Sequence, residues 1–388
     1  MSTRLYSRNS VLLAKIETTE GTDASPTGTS NAVLVSDLSI EPLAGSEIDL
    51  SYVRPYMGIS PSIRVEDYVT ASFTVDFAGT ATAGTAPAWG PILRACGFSE
   101  TLVASGATTL AGTAQSAATG TVNLSATTAS STDGAYNGCS ISMGGQTRTI
   151  IAYVGSTKVA TLSKPWTATA GSYTITPSAT YLPVSTGFES VTIYYNVAGV
   201  RHKMLGCKGS VSIDQSAKQR PAMKFNFTGG YGGVADASEA TPVFTAFQTP
   251  QTINSSNTSS LIGGKQADGS ATGVQLMNFT LDMANAITHR QLVGAESIVL
   301  TDRQPKGSVS VEATTVTFKD WFSDIRSSTK SPLLIENGLT AGNVTSVLLP
   351  NAQLAEPKYS DSDGIVMLDM SVRALPLVAN DEVRIVIK

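Results

Sequence analysis

The chain has 388 residues, room for two or three domains, with 41% hydrophobic residues, only 14% charged residues and a net charge of −4. That acid balance excludes a protein that coats nucleic acid, which needs a basic surplus to neutralise phosphate. Three scattered cysteines, Cys96, Cys139 and Cys207, exclude a disulfide scaffold, and no apolar run is long enough for a transmembrane helix or a signal peptide.

Residues 1–30 read as an arm, with a short strand or helical turn over 10–16 and then a Gly/Thr/Ser/Pro-rich loop. Val33, Val35, Leu38 and Ile40 predict a strand over 32–43. Residues 50–69 carry charges, Pro55, Pro61 and glycines, which suits an exposed loop or hairpin extension. Phe73, Val75 and Phe77 alternate with Ser72, Thr74 and Asp76, the period of a half-buried strand. Trp89, Ile92, Leu93 and Cys96 then fall at helical spacing, with Pro87 and Pro91 at the start and Gly97 as a cap.

The second half repeats this order. Val309 and Val311 alternate with polar residues, and Phe318, Trp321, Phe322 and Ile325 make a second helical stripe. Trp89 matches either Phe318 or Trp321, offsets of 229 or 232. Downstream, Gly199, Leu205, Val211, Met223, Phe225 and Phe227 match Gly342, Leu348, Leu354, Val366, Leu368 and Met370 at a constant offset of 143. The drop in offset places 86 or 89 extra residues between helix and hairpin in the first copy. Composition agrees: residues 104–180 hold four charged residues in 77 positions, against 52 in the other 311. Their apolar residues, among them Tyr136, Tyr153, Trp166 and Tyr173, predict a small all-β unit with its own core. Residues 232–272 are rich in Ser, Thr, Gly, Pro and Gln and read as a linker, with one pairing strand near Val243–Phe247.

Chemistry is sparse. His202, in a turn, and His289 lack Cys or carboxylate neighbours at metal-ligand spacing and read as solvated loop residues. Gly229 to Gly233 and Gly263-Gly264 read as flexible loops rather than nucleotide cradles. Asp361 to Gly364 lacks the rest of a calcium loop and reads as a hairpin turn between strands. No catalytic, cofactor or metal residues are predicted.

Ala14 to Ala24, the Arg54-Pro55-Tyr56-Met57-Gly58 loop, Ala86 to Gly97, Gly187 to Tyr195 and Lys319 to Phe322 resemble the major tail tube proteins of long-tailed, non-contractile bacteriophages, over about four fifths of the chain. The insert, through Ser130 to Gly138, Gly155 to Leu162 and Pro165-Trp166, resembles a small β module of phage virion proteins, a surface decoration. The resemblance implies a mainly β fold: two tandem β-sandwich or half-barrel modules, each with a short flanking helix. The expected divisions are 1–103 with 181–235, the insert 104–180 on the outer surface, a linker over 236–272, and 273–388. It also implies a structural, non-enzymatic virion protein assembled in the host cytoplasm. Rings would stack into a tube that conducts DNA, with the tape measure protein and genomic DNA in the lumen, tail terminator and distal tail proteins at the ends, and no membrane partner.

Two modules per chain predict a three-chain, pseudo-six-fold ring; the alternative is a hexamer. A neutral-to-acidic lumen would let DNA slide where a basic one would hold it. The 44–69 region, through Arg54, Pro55, Tyr56, Arg64 and Tyr68, and the N-terminal arm are expected to contact the neighbouring ring. Trp89, Ile92, Leu93, Trp321, Phe322 and Ile325 are expected as flanking-helix core. The rival readings are a surface adhesin whose insert stacks sugars on its aromatics, and the tube of a bacterial contractile secretion system.

Overall fold

In the computed structural model the described residues are 6, 8–167, 169–267 and 273–388. Residues 1–5 and 7 of the expected arm, and 268–272 of the expected linker, lie outside them. The fold is mainly β, with short helices, as a tail-tube β-sandwich requires.

The first copy begins with β1 (Ser10–Ile16), β2 (Ser36–Ala44) and a hairpin of β3 (Glu47–Asp49) and β4 (Ser62–Arg64). It continues through β5 (Tyr68–Asp76), α1 (Gly90–Arg94), β6 (Phe98–Val103), β7 (Ser178–Pro183), β8 (Val191–Val197), β9 (Val200–Ser216) and β10 (Ala222–Asp236). The second copy runs β11 (Thr258–Ile262), β12 (Leu276–Asp282), a hairpin of β13 (Asn285–Leu292) and β14 (Ala295–Arg303), β15 (Lys306–Glu312), α2 (Trp321–Arg326), β16 (Lys330–Asn337), β17 (Thr345–Ser362), β18 (Ile365–Ala374) and β19 (Arg384–Ile387).

Period-two alternation sets both sheets. On β5 the buried side holds Val69, Ala71, Phe73 and Val75; β10 answers with Met223, Phe225 and Phe227. On β15, Val309 and Val311 face Met370 and Leu368 of β18. Trp89 and Trp321 are buried beneath these sheets, each donating its indole N–H to the segment before its helix: Trp89 to Ala78 O at 2.8 Å, Trp321 to Thr314 Oγ1 at 3.3 Å. That shared role matches Trp89 with Trp321. Gly97, at φ +81°, closes α1, its N–H reaching Arg94 O at 3.0 Å.

The ladder corrects the sequence offset. β8 and β9 pair Ile193 with Met204 and then, after a bulge, Val191 with Cys207. β16 and β17 repeat this, bulge included, as Leu333 with Leu349 and Ser331 with Ala352. The pair Lys208–Thr228 recurs as Gln353–Arg373. The offset is therefore 145 (353 less 208, 373 less 228), not 143. A slip of two residues keeps every side chain on its own face, so alternation alone cannot detect it. Before the turn the offset is 140 (333 less 193). The turn after β8 is Ala198-Gly199, whereas 338–344 join β16 to β17. With Trp89 on Trp321, the first copy gains 92 residues (232 less 140), which include β6 and β7.

β6 and β7 pair with each other, Val103 opposite Ser178, so the segment between them leaves and returns at neighbouring points. That segment forms a separate seven-stranded sheet around Leu124, Ile141, Ile150 and Trp166. It is fastened to the second copy. Lys388 Nζ, buried, pairs with Glu336 at 2.7 Å and donates to Gly138 O at 2.8 Å; Thr149 Oγ1 donates to Glu336 at 2.8 Å. Arg384 donates to Gly134 O and Asn137 O, and Val386 enters the insert core. β19 itself lies between β7 and β17.

Other expectations change. His202 sits in β9 with its ring stacked on Tyr195, and His289 sits in β13 beside Glu296 and Tyr68; neither is a solvated loop residue. Burial lowers the His202 pKa. Gly229 to Gly233 belong to β10 rather than a loop; a Cβ on Gly229 would come within 2.4 Å of Cys207 Sγ, so close sheet packing demands glycine there. Gly263-Gly264 turn tightly between β11 and Lys265–Ala267. No strand forms over Val243–Phe247, whereas the expected linker supplies β11, paired with β16. Asp363-Gly364 do make a two-residue hairpin turn, both at positive φ.

Candidate assembly surfaces

Eight antiparallel strands lie side by side in the order β2, β5, β10, β9, β12, β15, β18, β17. The middle join is between copies: the distal half of β9 pairs with β12, Ser212 opposite Asp282 and Ile213 opposite Leu281. Each copy contributes four strands.

One face of this sheet is the apolar core. The other is Ser-, Thr- and Asn-rich, with carboxylates at Glu41, Asp76, Asp214, Asp282, Glu312 and Asp369 against cations at Lys224, Lys306, Lys358 and Arg373. Hydrogen bonds from Ser310 and Ser360 hold the Asp369 carboxyl below the usual range, so it carries its charge at neutral pH.

The sheet ends in two open edges. Among the described residues the outer side of β2, away from β5, and the outer side of the distal half of β17, away from β18, have no partner strand. The register shows what is missing. Met223 faces Ile213 in the first copy, and its counterpart Leu368 faces Tyr359, after a bulge at Glu356 (φ +52°). Tyr359 thus holds the place of Ile213 on the core side. Ile213 is covered by β12; Tyr359 is 59% exposed, with its ring centroid 6.0 Å from that of Phe322.

The helix residues divide accordingly. Trp89, Ile92, Leu93 and Trp321 are buried and Ile325 is half-buried. Phe322, expected as core, is 41% exposed. Helical spacing identifies an apolar stripe, but not how much of it the same chain covers.

The β3–β4 hairpin projects from the sheet with a long tip. Val53, Met57 and Ile59 are almost wholly exposed and Tyr56 largely so. Arg54 lies over both Tyr52 and Tyr56, 6.0 Å from each ring centroid, and Pro55 is exposed between them. Arg64 clamps the hairpin base, paired with Glu47 and Asp67 and donating to Ala44 O at 2.8 Å. Tyr68 opens β5 with its ring 5.1 Å from His289 of the same chain. Sequence reasoning missed Tyr359, Ile63 and the edges; nothing local distinguishes an edge strand from an inner one.

Tyr136, Tyr153, Trp166 and Tyr173 are all buried in the insert core, which leaves them no ring face for a sugar. Among the described residues no three His, Cys, Asp or Glu side chains converge to hold a metal ion, and no helix is long and apolar enough to cross a membrane.

A comparison with curated proteins found no match. The family model described as phage tail tube protein matches residues 7–374, nearly the whole chain. With the β-rich architecture and the paired four-strand sheets, this places the chain in the phage tail tube protein family, as a structural component of the virion tail.

Proposed function

We propose that three chains close into a ring with pseudo-six-fold symmetry, and that such rings stack into the conduit for DNA ejection. The observation that carries this reading is the β9–β12 join. It links two four-stranded units within one chain, and the eight-stranded sheet ends in β2 and distal β17, the counterparts of the two edges that the join uses. An unpaired edge is a liability unless covered. Repeating the join between chains sets β2 of one copy against distal β17 of the next, Ile40 opposite Tyr359, and covers both edges and Phe322.

In this reading the modules are 1–103 with 181–235, and 273–388, joined through 236–272, with 104–180 an inserted unit on the outer surface. The polar, mildly acidic sheet face lines the lumen, where it does not grip phosphate. The apolar tip 50–61 reaches the neighbouring ring, whereas the expected N-terminal arm is taken up over 10–16 by β1, paired with β8 of its own chain. The tape measure protein occupies the lumen before DNA, and terminator and distal tail proteins cap the tube. The protein acts by assembly and is not an enzyme; it assembles in the host cytoplasm. Buried insert aromatics leave the adhesin reading without a platform.

Electron microscopy of the purified full chain tests this. Stacked rings with a central hole are expected, and Met57→Asp with Ile59→Asp should leave single rings that do not stack. A monodisperse monomer at all concentrations, or normal tubes from the tip variant, would contradict the corresponding part.

A further inference from the structure

The two hairpins that follow β2 and β12 occupy equivalent places but end differently. β13–β14 folds onto the first copy of its own chain. Asn285 Nδ2 donates to Cys96 O at 2.7 Å and to Gly209 O at 2.9 Å. Lys208 Nζ donates to Ile298 O at 2.8 Å. Leu300 rests on Gly97, where an added Cβ would lie 3.1 Å from its Cδ1. Ile298 and Leu300 are consequently 3% and 7% exposed.

The β3–β4 hairpin carries Ile63 and Val65 with the same two-residue spacing, and Ile48 opposite Ile63. All three are exposed. The matching seat on the second copy has no hairpin over it among the described residues. Gln353 holds the place of Lys208, and Ser328 (φ +55°) follows α2 as Gly97 (φ +81°) follows α1. Arg326 and Lys330 flank this seat and are exposed. The hairpin brings exposed carboxylates at Asp49 and at Glu47, the latter shared with Arg64, so the charges are complementary.

We infer that the base of the β3–β4 hairpin docks on the second copy of the adjacent chain in the same ring, between the end of α2 and Gln353. This rests on the ring reading above. The internal β13–β14 contact is its template, and the occupant is a second copy of this chain. The base therefore staples chains within a ring, while the tip extends past it.

Benzoylphenylalanine placed at Ile63 in the full chain, with assembled tubes irradiated, tests the inference. Adducts are expected within 326–330 or 352–355, in a covalent ladder that stops at three chains. Adducts elsewhere, no adduct, or a ladder running through successive rings would overturn it. A ladder that stops at six with the expected adducts would uphold the hairpin seat and overturn the three-chain ring.

Discussion

Ile213 and Tyr359 occupy the same place in two halves of one molecule, yet the first is 1% exposed and the second 59%. The difference is not in their hairpin partners, Met223 and Leu368, which are counterparts. It lies in β12, which covers one and not the other. The inner join is also secured by β19, paired with β7, and by the insert, whose Gly138 and Thr149 are held by the Lys388–Glu336 pair of the second copy. The outer edges have no such fastening among the described residues. One sequence repeat therefore yields one joint closed within the chain and, among the described residues, two edges without a partner strand.

The largest effect should separate the paired positions. Ile213→Asp puts an unpaired carboxylate into the core and should cost about 4 kcal/mol or more, so that the chain does not fold. Tyr359→Asp should change chain stability by less than ~1 kcal/mol and abolish rings. Circular dichroism melts and sedimentation velocity read both; rings from Tyr359→Asp would break the comparison.

Next comes the fastening of the inner join. Lys388→Met leaves the half-buried Glu336 without its cation and should cost about 2 kcal/mol in urea denaturation at pH 7. Burial alone would raise the Glu336 carboxyl, but Lys388, Thr149 and Ser346 outweigh it and hold it below its ordinary value. Its stabilisation is therefore present above that ordinary value of 4.5 and is lost as pH falls through the lowered one. The variant should lose this acid sensitivity; an unchanged acid profile would show that the pair does not fasten the insert.

Phe322→Ser should leave chain stability within ~0.5 kcal/mol while weakening ring closure about tenfold, measured by the concentration at which rings dissociate. Smallest in structural terms, Asp214→Lys with Asp282→Lys should leave tubes intact but slow DNA ejection in a way that added salt relieves. Unchanged ejection would remove the lumen assignment of that face.

Much of this was legible. Phe73, Val75 and Phe77 announced β5, and Trp89 with Ile92 and Leu93 announced α1, because periodicity is a local property. The repeat was legible too, but its offset was wrong by two because face alternation is blind to even slips. The insert was visible in its charge depletion. Its attachment was not, since Lys388 and Gly138 meet across 250 positions without any periodic signal. Phe322, 41% exposed, differs from the expected core for a related reason: helical spacing marks an apolar stripe without saying how much of it the chain's own core covers.

The central claim is that the inner join is the template for the outer one, with two units per chain. Native mass spectrometry of a single ring, released by the tip variant Met57→Asp with Ile59→Asp, tests it most directly. The account predicts three chains per ring; a ring of six would contradict it.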